Sequence, residues 1–393
     1  MRRLIYIFII GLLLCSYTWA DGSRYASKSL LSEGKWVKIR VDKTGIYKLS
    51  YADLKNMGFS DPSKVSVHGY GGWPLDEDFS KEYIDDVPST PVWRGSDYLL
   101  FYGKGPVKWE YDSSSQTFVH TNNPYSLYGY YFVTDATPTN DMTSVAQASG
   151  ASTRITTYDD YLLHEQELVS VNQSGREFFG EDFSGARPRT ISTFSSIPGI
   201  TDADGKVTMR FISRINSGSG TASLSINDSE LLDITIPSVQ TVSSNVRSYT
   251  KAIPGTTTAL WKGSKSEKNN VVVSYSSSGH TNVRLDYIRM QFVRTLRPYG
   301  ACTFFRSLTS VGNSSRFVIS EANSNTLVFD VTDALNVKRV EADLNGSELS
   351  FTIPAGRLRE FVLVQTNQTF PSPEVVGEVA SSNLHGLEQR DMI

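Results

Sequence analysis

The hydrophobic positions of this chain recur in short runs with a period near two, and segments rich in Gly, Pro, Asp and Ser separate them. From Lys35 the run holding Trp36, Ile39 and Val41 predicts a strand. The turn Asp42-Lys43-Thr44-Gly45 and the run Ile46-Tyr47-Lys48-Leu49 predict its hairpin partner. Ser50 is a suitable N-cap for a two-turn helix over Tyr51 to Asn56, with Gly58 as the stop. Further strands are expected at 65–68, 98–102, 107–111 and 129–134, and the string His68-Gly69-Tyr70-Gly71-Gly72 reads as a backbone bend that glycine permits. A second series follows at 206–212, 221–226, 231–236, 270–275 and 283–293, broken by turns at the spacing of a sandwich, and a third at 317–319, 327–331, 349–353 and 361–364. The fold class expected is mainly β: serial β-modules with a jelly-roll-like β-sandwich and one short helix.

At 393 residues the chain is long enough for two or three domains with cores of their own. The pattern divides it into a lead over 21–33, a β-rich domain over 34–137, a small and polar linker over 138–152, a β-sandwich over 153–300 and a β extension or small β domain over 301–369. Pro371 and Pro373 make 370–393 a linker. Arg2 and Arg3 precede an apolar run from Leu4 to Leu14, too short to span a bilayer, and small residues follow. That is the pattern of a signal peptide over 1–20 with cleavage after Ala20. The mature chain is then exported and has no transmembrane segment. Cys15 follows Leu14, where lipidation would need a small residue.

The formal charge of -3 gives no cationic excess to neutralise phosphates, so nucleic acid is not an expected partner. Cys302 is the single thiol left after cleavage and lies in an apolar run, the usual setting of an inert buried cysteine. His68, His120, His164, His280 and His385 are scattered, with no metal-ligand spacing. No catalytic residue, metal ligand or cofactor is therefore expected. Asp76, Glu77, Asp78, Glu82, Asp85 and Asp86 cluster, but without the ligand and glycine order of a calcium loop, and read as a solvated acidic loop. The aromatics of the first module include Trp73, Trp93 and Trp109, which could form a binding surface for a sugar or a peptide.

Several strings together resemble the region ahead of the catalytic domain in the sortases of the type IX secretion system, gingipain-like (C25) cysteine peptidases. They are Gly34-Lys35-Trp36-Val37-Lys38-Ile39, the stretch from Thr44 to Leu54, Val67-His68-Gly69-Tyr70-Gly71-Gly72, the stretch from Tyr98 to Gly105, Phe178-Phe179-Gly180-Glu181 and Leu285-Asp286-Tyr287-Ile288. Asn383-Leu384-His385-Gly386-Leu387 and Asp391-Met392-Ile393 are similar to the entry into the α/β peptidase domain. No position here matches the family's catalytic His and Cys motifs, so no catalytic role carries over. The resemblance implies the non-catalytic scaffolding half of a cell-surface endopeptidase and transpeptidase. Such an enzyme removes C-terminal sorting domains from secreted cargo, joins the cargo to lipopolysaccharide, and works beside an outer-membrane β-barrel partner. The expected location is the outer-membrane-associated cell surface or the periplasm. Two other readings stand beside it: a free-standing carbohydrate-binding or adhesive module, and the prodomain of a secreted gingipain-like protease.

Overall fold

A computed structural model describes residues 26–78, 80, 84–171, 175, 177–185, 187–215, 217–239, 252–279 and 281–387. The expected leader with its cleavage at Ala20 lies outside the described residues, as do Glu82, His280 and residues 391–393.

In chain order the first elements are β1 (Trp36–Val41), β2 (Gly45–Ser50), α1 (Tyr51–Asn56), β3 (Ser66–Gly71), β4 (Ser89–Thr90), β5 (Val92–Arg94), β6 (Tyr98–Gly103), β7 (Val107–Asp112), β8 (Thr117–Asn122) and β9 (Gly129–Thr134). Then come β10 (Ser144–Val145), β11 (Thr153–Ile155), β12 (Thr157–Glu165), β13 (Arg189–Thr190), β14 (Gly205–Ile215), β15 (Ser219–Ile226), β16 (Ser229–Pro237), β17 (Ile253–Trp261), β18 (Val271–Ser277) and β19 (Thr281–Thr295). The last are β20 (Cys302–Phe305), β21 (Ser315–Ile319), β22 (Thr326–Asp330), β23 (Lys338–Val340), β24 (Asp343–Asn345), β25 (Glu348–Ile353), β26 (Phe361–Gln365) and β27 (Glu374–Val379). The protein is mainly β, and its described helical segments besides α1 are short 3-10 turns.

The chain forms two compact units. The first comprises residues up to Pro106, then Leu127–Asp141 and the tail from Ser372. Its sheets, ordered β27-β1-β9-β3-β4 and β2-β6-β5, share one core built from Val37, Ile39, Tyr47, Leu49, Leu99, Phe101 and Val133 among others. The expected hairpin of β1 with β2 does not form. β1 already has both edges occupied, by β9 and by β27, so β2 turns away to pair with β6 in the other sheet. α1 is where the capping signal places it. Ser50 Oγ accepts from Asp53 N at 3.0 Å, Asp53 returns a bond from the Ser50 backbone, and Leu54 seals the core. The glycine bend is also present. Gly71 has φ +86, and a Cβ there would stand 2.7 Å from the Tyr131 hydroxyl, just where the β3–β9 register shifts.

The second unit contains Val107–Ser126 and Met142–Pro371. β12 to β19 make two four-stranded antiparallel sheets, β12-β19-β14-β17 and β13-β18-β15-β16. That alternation of strands between facing sheets is the jelly-roll order, and Phe194, Met209, Phe211, Leu224, Val273, Leu285 and Met290 fill the space between them. A second sandwich pairs the sheet β10-β23-β22-β26-β20 with β11-β21-β25-β24. Its centre is an aromatic cluster of Phe305, Phe317, Phe351 and Phe361, with ring centroids 5.2 to 6.3 Å apart. The third strand series therefore has a core of its own. Residues 138–152, small and polar in composition, contain β10, which lies parallel to β23 and packs Val145 against the core of the second sandwich. The proline-flanked tail likewise supplies β27 to the first unit. No described helix is long and apolar enough to cross a membrane.

Phe305 touches Tyr158, Phe317, Phe351 and Phe361. Phe305→Ala is expected to lower the unfolding free energy of the second unit by about 3–5 kcal/mol, read by urea denaturation.

Candidate functional site

Outward-facing side chains of β12, β14 and β19 form a densely connected polar surface of the second unit, and the β7–β8 hairpin lies on them. Alternation dictates which residues face outward: Met209, Ile288 and Met290 point into the core, so Arg210, Tyr287, Arg289 and Gln291 point away from it. Gln291 Nε2 donates to the Phe118 carbonyl at 3.2 Å and its Oε1 accepts from Phe118 N at 2.8 Å, so a side-chain amide pairs the open edge of β8 as a neighbouring strand would. Trp109 stacks on Tyr161 with centroids 3.9 Å apart, Phe118 packs against the same ring at 5.3 Å, and His120 meets the edge of Tyr287 at 4.7 Å. His120 and Glu165 are 3.3 Å apart with both side chains nearly buried, and Asn122 Nδ2 donates to Glu167 at 2.9 Å. At the turn, Lys206 Nζ donates to the carbonyls of Ser115 and Gln116.

Beneath the hairpin runs a buried ionic chain. Arg306, about 1% exposed, makes a two-pronged bond to Glu360, donates to the Asp159 carbonyl at 2.9 Å and lies 3.7 Å from Asp160. Asp160 also takes a bond from Arg294 at 2.8 Å, and the Arg306 guanidinium sits 4.3 Å from the Tyr161 ring centre, on which Trp109 stacks. The strings 178–181 and 285–288 meet at one end of this sheet. Gly180 N donates to Leu285 O, Leu285 N donates to Glu181 O, and Asp286 is bonded to Arg210. Glu181 holds His164 at 2.7 Å while the other ring nitrogen faces Thr193 at 2.9 Å. Burial pushes the Glu181 carboxyl up, but the His164 bond, a backbone N–H and the nearby charges of His164 and Arg189 together outweigh it and leave the group below its ordinary value.

The residues singled out in the sequence are not gathered into a reactive centre. Cys302 is half-buried on β20, its backbone paired with Val364. The described histidines direct their ring nitrogens elsewhere: His120 and His164 as above, His385 to Asp85 at 3.5 Å, and His68 to Ser66, Thr137 and the Val87 carbonyl. Burial holds His68 below the ordinary imidazole value, so the ring is a neutral member of the first unit's interior. Among the described residues no three His, Cys, Asp or Glu side chains are grouped to hold a metal ion. In the acidic loop, Asp76 and Asp78 accept local backbone N–H bonds, whereas Asp85 and Asp86 accept from Ala26 and Leu30. Of the three tryptophans, Trp73 lies over Lys104 at 4.7 Å and Trp93 packs on Tyr98 at 5.8 Å, both in the first unit. Trp109 belongs to the second, so each ring is already engaged by its own unit. The Arg306–Glu360 bridge and the Gln291 clasp went unread in the sequence, because an arginine in an apolar strand run and a glutamine in a strand carry no local signature.

Burial pushes Asp286 up to about 6 against the pull of Arg210, and burial followed by Glu165 pushes Glu167 up to about 7. Acids that hold protons more tightly when folded stabilise the fold below their ordinary values, and that contribution is lost as pH rises through the shifted ones. The melting temperature of the second unit is therefore expected to fall between pH 5 and about pH 8, and Glu167→Gln to remove the upper part of the fall. A flat or rising profile in the parent protein would contradict this. Gln291→Leu leaves the Phe118 peptide groups without their partner. It is expected to weaken hairpin docking by about 1–3 kcal/mol, read as faster amide exchange over residues 107–122.

No protein-family model and no curated protein matches the chain. Among solved structures it is similar to dimeric latent PorU from Porphyromonas gingivalis, with 33% identity and a TM-score of 0.81. The match covers 93% of this chain and 35% of that one, so the chain spans about a third of the PorU length. A CBM35 from Cellvibrio japonicus Abf62 matches with 15% identity and a TM-score of 0.17, over 35% of this chain and 97% of that one. The insecticidal delta-endotoxin Cry8Ea1 from Bacillus thuringiensis matches with 11% identity and a TM-score of 0.20, over 57% of this chain and 41% of that one. At such scores neither informs the fold or the chemistry of this chain.

Proposed function

We propose that this chain, which belongs to the PorU family and corresponds to its N-terminal region, is the non-catalytic scaffold of a type IX secretion sortase. In this reading it carries no peptidase activity of its own. It positions a C25-type cysteine peptidase domain that cleaves C-terminal sorting domains from cargo and attaches the cargo to lipopolysaccharide. The setting is the outer-membrane-associated cell surface, with a β-barrel partner and the cargo as its contacts. The observation that carries this reading is the agreement in fold and sequence with PorU over nearly the whole chain. The internal chemistry is compatible with it: the lone mature thiol is a strand residue, the described imidazoles are bound to other groups, and the polar face of β12, β14 and β19 is used to hold a hairpin rather than to leave a cleft.

The purified chain is expected to show no thiol-dependent turnover of fluorogenic peptides. Hydrolysis that iodoacetamide blocks and Cys302→Ser abolishes would overturn the assignment. Removing residues 34–369 from the full-length protein is expected to leave secreted cargo with its sorting domain attached.

A further inference from the structure

Ser29 occupies the N-cap position of the 3-10 turn Leu30–Ser32, where a serine hydroxyl ordinarily accepts from the turn that follows it. It makes no such cap. Its hydroxyl instead accepts from His385 N at 3.0 Å, and its own N–H donates to Asn383 Oδ1 at 2.9 Å, a partner 354 residues further along the chain. Ser382 N donates to the Leu31 carbonyl at 3.1 Å, and Asn383 Oδ1 also accepts from Gly386 N at 3.1 Å, which closes the tail into a turn around the same oxygen. Both partners are tied to a third segment. Asp85 accepts from Ala26 N and lies 3.5 Å from His385 Nε2, and Asp86 accepts from Leu30 N. Ser29 is only 6% exposed, so these bonds are sheltered from competing water.

We propose that residues 26–33 are a strap that fastens residues 382–386 onto the first unit, with Asp85 and Asp86 as its buckle, and so fixes the point at which the chain leaves that unit. Strap fastened, the tail continues past β27 along a set path and holds Leu384 and Leu387 out to solvent, 72% and 68% exposed. Strap released, the tail is free from the end of β27, and residues 380–387 become a tether able to reach about 25 Å. The strap and the tail stabilise each other equally, because a coupling free energy between two segments is reciprocal. The device is a property of the first unit and stands whether or not the scaffold reading does.

Hydrogen exchange on the chain from residue 21 onward tests it, comparing the parent with Ser29→Ala, Lys28→Ala and a chain that starts at residue 34. Lys28 pairs with Glu33 on the surface and serves as the control. Amides 382–386 are expected to exchange about tenfold faster or more in Ser29→Ala and in the shortened chain, while β1 and β9 amides keep their rates and Lys28→Ala matches the parent. Tail amides equally protected with and without the lead would overturn the proposal, as would parent tail amides that exchange at the unprotected rate. Should the shortened chain also lose β1 protection, Ser29→Ala alone decides.

Discussion

A guanidinium taken out of water must be repaid at every donor, and Arg306 organises the second unit around that demand. Its donors reach Glu360 at the start of β26 and Asp159 on β12, and its flat face rests on Tyr161. The jelly roll and the smaller sandwich present groups to this one side chain, and the β7–β8 hairpin adds the Phe118 ring, whose centre lies 5.8 Å from the guanidinium. Each contact is individually modest, but a buried ion with a partner missing costs about 3–5 kcal/mol, so the three parts are held to a single arrangement. Phe305, the neighbouring residue, points the opposite way into the aromatic cluster, which explains why a charged residue can follow directly on a fully enclosed phenylalanine of that core.

Much of the fold was legible because β-structure writes its burial pattern with period two. The jelly-roll strands could be read from runs such as 206–212 and 283–293, and α1 from Ser50 and Gly58. What could not be read was which strand pairs with which. The turn at 42–45 looks like a hairpin, yet the pairing is decided by competition for edges, and β27, more than 300 residues away, wins one edge of β1. A two-residue edge strand such as β10 is too short to show a period-two pattern.

The candidate site follows the same rule. The strings 178–181 and 285–288 carry a resemblance to a known family and no statement about a site. The structure brings them together as the rim of a polar sheet face, where Arg210 pairs with Asp286 and His164 with Glu181. Trp73, Trp93 and Trp109 lie within one aromatic-rich stretch of the sequence, but the first two and the third belong to different units. Aromatic density along a chain is therefore a poor guide to a shared binding face when the chain passes from one unit to another within that density.

The crossings of the backbone between the units have a consequence for biogenesis. The first unit contains residues from the front of the chain and from 372 onward, and the sheet centred on β1 is complete only when β27 arrives. A ribosome delivers β27 only after the entire jelly roll has emerged. Until then β1 carries an open edge of unpaired peptide groups, the kind of edge that recruits other chains. Folding on the far side of a membrane, once the whole polypeptide is present, would spare the protein that exposed interval, whereas strictly vectorial folding would prolong it.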